Sequence, residues 1–396
     1  MVRYLTTNGK SLSYRIRRPF ALRYRRAKLN YFLGIRELAE YLFARMDHRT
    51  TFDFNFLPTG IGSVPYLDVH ATCLRILEAC PRIPFWPQFV QRSHLEDMIV
   101  QFTEGLPFLE VTEDRKVLLT VHKDAEQELV AFYDRFLAED VEHFALSKKY
   151  ISGLFEMLSL IDRDPEKYGP FIKGHTVGPV TFAAAIRDKQ GRTLFSYPDL
   201  SEAFVKALAI RALWQVRELS KSGKRPILFL DEPYLAGYGS AFTPIQRHEV
   251  VALMKEVVDY VRERSEAIVG IHCCGNTDWS MILEAGPDIV SFDAFSYLDY
   301  FFLYPGEIQR FIQGGGTIAW GIVPTFGFTG SETVESLSDH LGKALARLHA
   351  LGLDPGQVAR QSLLTPACGM GTMEPAATER VLSLLRGLSD EWVQNV

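Results

Sequence analysis

The chain has little that would tie it to a membrane, to nucleic acid or to an oxidising compartment. No apolar run in its 396 residues approaches the roughly 20 needed to span a bilayer. Its net charge of -5 exerts no general pull toward nucleic acid or a membrane surface. Cysteine is scarce, at five, and the adjacent Cys273 and Cys274 are poor disulfide partners, which points to a reducing cytoplasm. There are no internal repeats, no low-complexity tracts and no composition break that would mark a second large domain. Acidic residues are missing from positions 1 to 36, where Arg15, Arg17, Arg18, Arg23, Arg25, Arg26 and Lys28 cluster. Such a start resembles a transit peptide, and Arg17-Arg18 a twin-arginine signal, but no apolar core follows. An amphipathic helix is expected instead at about 31–46. Residues 1–52 therefore read as a basic, partly helical extension, either lying on the body of the protein or docking an acidic partner.

What is present belongs to an ordinary globular chain, 47% apolar and 23% charged. From Phe52 onward, short apolar runs alternate with helical patterns. Strands are expected at 54–61, 83–89, 171–177, 227–230, 268–272, 289–292, 317–322 and 362–365, with helices such as 201–220, 244–265, 332–351 and 375–388 between them. Eight strands with helical connections is the count of a single α/β (β/α)8 TIM barrel, here spanning 53–396. One connection is too long for a simple helix. Between the second and third strands, about 107–170, we expect a hairpin around Glu113-Asp114-Arg115-Lys116 and a long helix from Asp124, inserted as a lid.

Barrel enzymes carry their sites at the C-terminal ends of the strands, and in this chain those ends hold the chemically useful residues. The first strand ends at Ile61-Gly62-Ser63, the second in an aromatic wall at Trp86, and the third near His175. The fourth ends at Asp231-Glu232, two carboxylates of which one suits an ammonium group. The fifth ends at His272-Cys273-Cys274, the sixth at Asp293, the seventh at Pro324-Thr325 and the eighth at Cys368. On an extended strand His272 and Cys274 share one face and Cys273 takes the other. An imidazole and two thiolates suit Zn²⁺ and leave its fourth position open, as in catalytic sites. The same residues also read as a core histidine and small buried thiols; convergence of all three on one rim favours zinc. His175 reads as a packing histidine or a residue of the mouth.

These motifs resemble the superfamily that joins uroporphyrinogen decarboxylase, the corrinoid:coenzyme M methyltransferases and the catalytic barrel of cobalamin-independent methionine synthase. Ile61-Gly62-Ser63, Gly178-Pro179-Val180-Thr181, Asp231-Glu232-Pro233 and Pro366-Ala367-Cys368-Gly369 are similar to the methionine synthase barrel in order and spacing. His272-Cys273-Cys274-Gly275-Asn276-Thr277 resembles the coenzyme M enzymes at least as closely. The resemblance implies that His272, Cys274 and Cys368 bind a thiol-activating zinc. It places Asp293 where methionine synthase has a glutamate ligand. It implies that Ile61 and Ser63 hold the carboxylate of homocysteine and Asp231 its ammonium, with a second acid at Glu104 or, as the alternative, Glu96. The decarboxylase uses no metal and is disfavoured.

About fifty residues precede the barrel, where folate-dependent methionine synthase has a further barrel. The expected donor is therefore not folate but a methylated corrinoid, methylcobalamin, carried on a partner protein. The expected activity is zinc-dependent S-methylation of homocysteine to methionine, a step in methionine biosynthesis. The alternatives are a methyltransferase for another thiol, such as a coenzyme M-like sulfonate, and a non-catalytic metal- or corrinoid-binding protein.

Overall fold

The computed structural model describes residues 2–5, 11–14, 52–121, 125–239 and 245–394. The chain divides into two units, Met1–Thr50 and Thr51–Val396. In the first, β1 (Val2–Leu5) pairs antiparallel with β2 (Ser11–Tyr14). The basic cluster from Arg15 to Lys28 and the helix expected at 31–46 lie outside the described residues.

The second unit is mixed α/β, with twelve helices among the described residues. Its centre is a curled, all-parallel sheet of seven strands: β3 (Leu57–Pro58), β6 (Phe171–Val177), β7 (Arg225–Asp231), β8 (Ile268–Cys273), β9 (Ile289–Phe292), β10 (Thr317–Val323) and β11 (Ser362–Pro366). The order across the sheet is β3-β11-β10-β9-β8-β7-β6, so sequential strands are neighbours. Long helices such as Pro198–Ser220, Arg247–Arg264, Val334–Ala350 and Pro375–Val393 make the crossovers that parallel pairing requires. No helix among the described residues is long and apolar enough to cross a membrane.

Seven strands replace the eight expected, and the missing one is 83–89. Pro84 and Pro87 remove two backbone donors from that segment, so it cannot sustain a ladder. It makes single parallel bridges instead, Phe85 to Lys173 on β6 and Gln88 to Ser63 just beyond β3. The first strand is likewise shorter than the 54–61 expected. Asn55 and Phe56 stand at φ 48° and 60°, a left-handed backbone that breaks an extended run, and Pro58 has no N–H to offer. The long connection contains β4 (Leu109–Val111) paired antiparallel with β5 (Val117–Leu119), then helices at Ala125–Leu137 and Ser152–Arg163.

Both faces of the sheet are buried, as period-two alternation between two apolar surroundings demands. Outward residues such as Leu228, Leu230, Val269, Ile271, Val290, Phe292 and Trp320 join the large core beneath the helices. Inward residues form a separate cluster of Phe54, Ile61, Ile83, Ile227, Phe229, Ile268, Ile289, Ala319 and Leu363. Each such side chain stabilises by about 1.5–3 kcal/mol when fully buried. This inner cluster fills the curl from below, leaving the C-terminal ends of the same strands for polar side chains.

Candidate metal centre

Alternation along β8 puts Ile268, Gly270 and His272 on the inner face. Gly270 has to be small there, because a Cβ would stand 2.5 Å from the Phe229 ring. His272 is 3% exposed. Its Nδ1 lies 2.9 Å from Ser291 Oγ, and Ser291 is its register neighbour on β9. Its Nε2 is buried and has no partner. Cys274 follows one residue after the strand ends, whereas Cys273 turns outward: its thiol donates to the Gly275 carbonyl at 3.5 Å and packs in the outer core. Burial pushes the Cys273 thiol up, and keeps it protonated.

Cys368 arrives from the other end of the chain on a loop tied down at several points. Ala367 N donates to the Val323 carbonyl at 2.8 Å, and Met370 N to the Ser63 carbonyl at 2.9 Å. Gly371 N donates to Ser63 Oγ at 3.3 Å. Gly369 must lack a side chain, because a Cβ would collide with Ser63 Oγ. Ser63 thus braces the Cys368 loop.

The result is one ligand atom from each of His272, Cys274 and Cys368, all within 4.8 Å of one another, the one such group among the described residues. A hydrogen bond from Cys368, helped by His272, pulls the Cys274 thiol down to about 4 against the burial that opposes it. The same bond, with burial, pushes the Cys368 thiol up. The Cys274 and Cys368 thiols are thus hydrogen-bonded to each other, and that bond favours the thiolate at Cys274. Thiolate sulfur and neutral imidazole nitrogen are the donors Zn²⁺ takes, and three of them leave one position open.

Asp231 is the register neighbour of His272 on β7. It is 7% exposed, and its Oδ1 is buried without a partner. Burial raises its carboxyl to about 6, with His272 and Lys173 pulling the other way. The adjacent Glu232 has a different task. It accepts from Val180 N at 2.9 Å, Thr181 N at 2.8 Å and Thr181 Oγ1 at 2.6 Å. It therefore caps the helix Pro179–Ala185, and Gly178 is glycine because a Cβ would strike the Glu232 carboxyl. The Gly178-Pro179-Val180-Thr181 motif is thus a helix start fitted to a carboxylate of the next strand.

The other expected site residues divide. Asp293 is 8% exposed and caps the helix Ala294–Phe301 by accepting from Ser296 N at 2.8 Å. Burial raises its carboxyl, and the charge of Cys274 adds to this. The Ile61 carbonyl accepts from Lys173 Nζ at 2.7 Å. Trp86 is buried and stacks on His175. Glu104 is engaged with Ser147, whose N–H donates to its Oε2 at 2.7 Å. The alternative acid, Glu96, accepts from Ser152 N at 3.1 Å and pairs with Arg92 at 3.2 Å.

Sequence reasoning passed over Lys173 and Ser291. Lys173 is fully buried, lies 4.2 Å from the centre of the Phe229 ring and feels Asp231; burial lowers its ammonium to about 7. The signal for it was a lone lysine inside the apolar strand Phe171–Val177. Ser291 gave no signal, because its pairing with His272 exists only once β8 and β9 are in register.

No family model and no curated protein matches the chain. Among solved structures, it is similar to a B12-independent methionine synthase from Shewanella sp. W3-18-1, determined in complex with selenomethionine. The likeness has a TM-score of 0.54 at 16% identity, and covers 86% of this chain and 98% of that one. At that identity the likeness is one of fold.

Proposed function

We propose that this chain is a zinc-dependent thiol methyltransferase that converts homocysteine to methionine, taking methyl from a non-folate donor such as a methylcorrinoid protein. The observation that carries the reading is the convergence of His272, Cys274 and Cys368, with a buried, unpartnered oxygen on the neighbouring Asp231. His272, Cys274 and Cys368 would hold the metal. Bound there, zinc supplies the chemistry of keeping a substrate thiol deprotonated at neutral pH.

The chain's own groups do the rest. Ser291 fixes the plane of His272; with Nδ1–H donated to Ser291 Oγ, the lone pair sits on Nε2 and would be the one offered to the metal. Asp293, one oxygen of which accepts from Ser296 N, would act as a further ligand or as an acceptor for the site. Asp231 takes the ammonium of homocysteine, since its Oδ1 has no partner of its own. Ile61 and Ser63 flank the carboxylate. Glu104, whose Oε2 accepts from Ser147 N, would serve as the second acid for the ammonium. The substrate sulfur then attacks the methyl group; a carbon–sulfur bond forms, and the donor leaves with its electron pair.

A coenzyme M-like acceptor is less suited, because a sulfonate has no cation to offer Asp231. The test is methionine formation from homocysteine with methylcobalamin, and separately with methyltetrahydrofolate. Methionine from the first donor and not the second supports the reading. Methionine from folate alone would replace the donor. Stoichiometric zinc without turnover from either would leave a metal-binding protein that is not this enzyme.

A further inference from the structure

Two inward-facing side chains of the curled sheet carry polar atoms that meet nothing, and they are of opposite kind. Asp231 Oδ1 is a buried acceptor. His175 is 1% exposed, with both ring nitrogens buried and unpartnered. The ring is clamped in place. Trp86 lies against it at 3.9 Å between centroids and 26° between planes. Gln215 fixes both residues, accepting from Trp86 Nε1 at 2.9 Å and donating to the His175 carbonyl at 2.9 Å. From the third side comes Gly62, where any Cβ would stand 2.7 Å from His175 Cε1 and Nδ1. Packing alone would be better served by an apolar side chain, because unmet polar atoms in a buried ring are costly.

Burial, and after it the charge of Lys173, holds His175 well below the ordinary imidazole range, so the ring is neutral and offers one N–H donor. Lys173 shares the face of β6 with His175, its Nζ donating to the Ile61 carbonyl at 2.7 Å. A group that meets both of these side chains must carry an acceptor for His175 and a cationic donor for Asp231. An α-amino acid head group carries both, whereas a sulfonate or a simple alkyl thiol carries at most one. Taking the thiol site of the preceding reading as given, we propose that His175 is a specificity-determining residue, donating a ring N–H to the α-carboxylate of the acceptor thiol while Asp231 takes its ammonium.

The test is calorimetric binding of L-homocysteine and of 3-mercaptopropylamine, which lacks the carboxylate, to the metal-loaded protein. The parent should prefer homocysteine by about tenfold or more. His175→Leu should shrink that preference to within about threefold, with 3-mercaptopropylamine bound as before, and His175→Gln, which keeps a donor, should retain most of it. Equal binding of the two thiols by the parent overturns the proposal, as does an undiminished preference in a folded His175→Leu protein. Should that variant not fold, the imidazole ¹⁵N resonances of His175 in the parent decide: they shift with homocysteine and not with 3-mercaptopropylamine, and a shift with both or neither overturns the assignment. Zinc-dependent binding of both thiols alike removes only the role of His175. Absence of zinc and of all thiol binding removes the thiol site itself.

Discussion

On β7, Ile227 and Phe229 face the same interior as Asp231, four and two residues further along, yet the two ends of that interior are furnished in opposite ways. At the lower end Ile227, Phe229, Ile268, Ile289 and Leu363 form an apolar plug. At the upper end Thr59, His175, Asp231, His272 and Thr365 each hold at least one buried polar atom with no partner. Buried polar atoms are nearly always satisfied in native proteins, so a concentration of orphans at one end of the strands marks the place where something else completes the structure. The lower end is filled by apolar packing; the upper end offers polar groups to an occupant.

The sharpest way to break that comparison is to remove material from below. Phe229→Ala should cost about 3–5 kcal/mol in chemical denaturation, because it opens a cavity in the plug and strips the ring from beneath Lys173. Zinc per folded chain should be unchanged; loss of zinc from folded protein would show that the two ends are not separable. Removal from above should behave in reverse. Cys274→Ser or Cys368→Ser should lower zinc affinity by more than about a hundredfold, with little change in stability of the metal-free protein. Full zinc content in either variant would take that residue out of the site.

A subtler contrast lies within the upper end. Asp231→Asn keeps shape and removes charge, so homocysteine affinity should fall about ten- to a hundredfold, or 1.5–3 kcal/mol, while zinc stays. An equal fall for a thiol without an ammonium, such as mercaptoethanol, would mean that Asp231 serves the metal or the fold. The smallest effect is expected one residue from the centre. Cys273→Ala should leave zinc content and thiol affinity untouched and cost about 1 kcal/mol of outer-core packing. If it strips the metal instead, the inward and outward assignments on β8 are off by one residue.

Alternation explains why much of this was legible in the sequence. The run from Ile268 to Cys274 displays its own two faces, and the alternation of apolar runs with helical patterns gave the parallel strands their order. The motif from Gly178 to Thr181 and the carboxylates at 231 and 232 were visible as features, but their division of labour was not. Only the register of β6 against β7 shows that Glu232 caps a helix while Asp231 faces the interior. Segment 83–89 reads as a strand from its apolar content, and its prolines reduce it to single bridges. Glu104 was chosen for its position in the chain, and the loop at Ser147, 43 residues away, engages its carboxylate. Local pattern finds elements and faces; pairings between distant segments decide which polar group is left over for a ligand.

The central claim is that the leftover groups at the upper end hold a thiol-activating zinc. Zinc-edge X-ray absorption on the purified protein, before and after homocysteine, tests it most directly. Our account predicts about one zinc per chain, bound by two sulfurs and at least one imidazole nitrogen, with a third sulfur joining the shell when homocysteine is added. A protein without zinc, or a shell whose sulfur count does not rise with homocysteine, would contradict it.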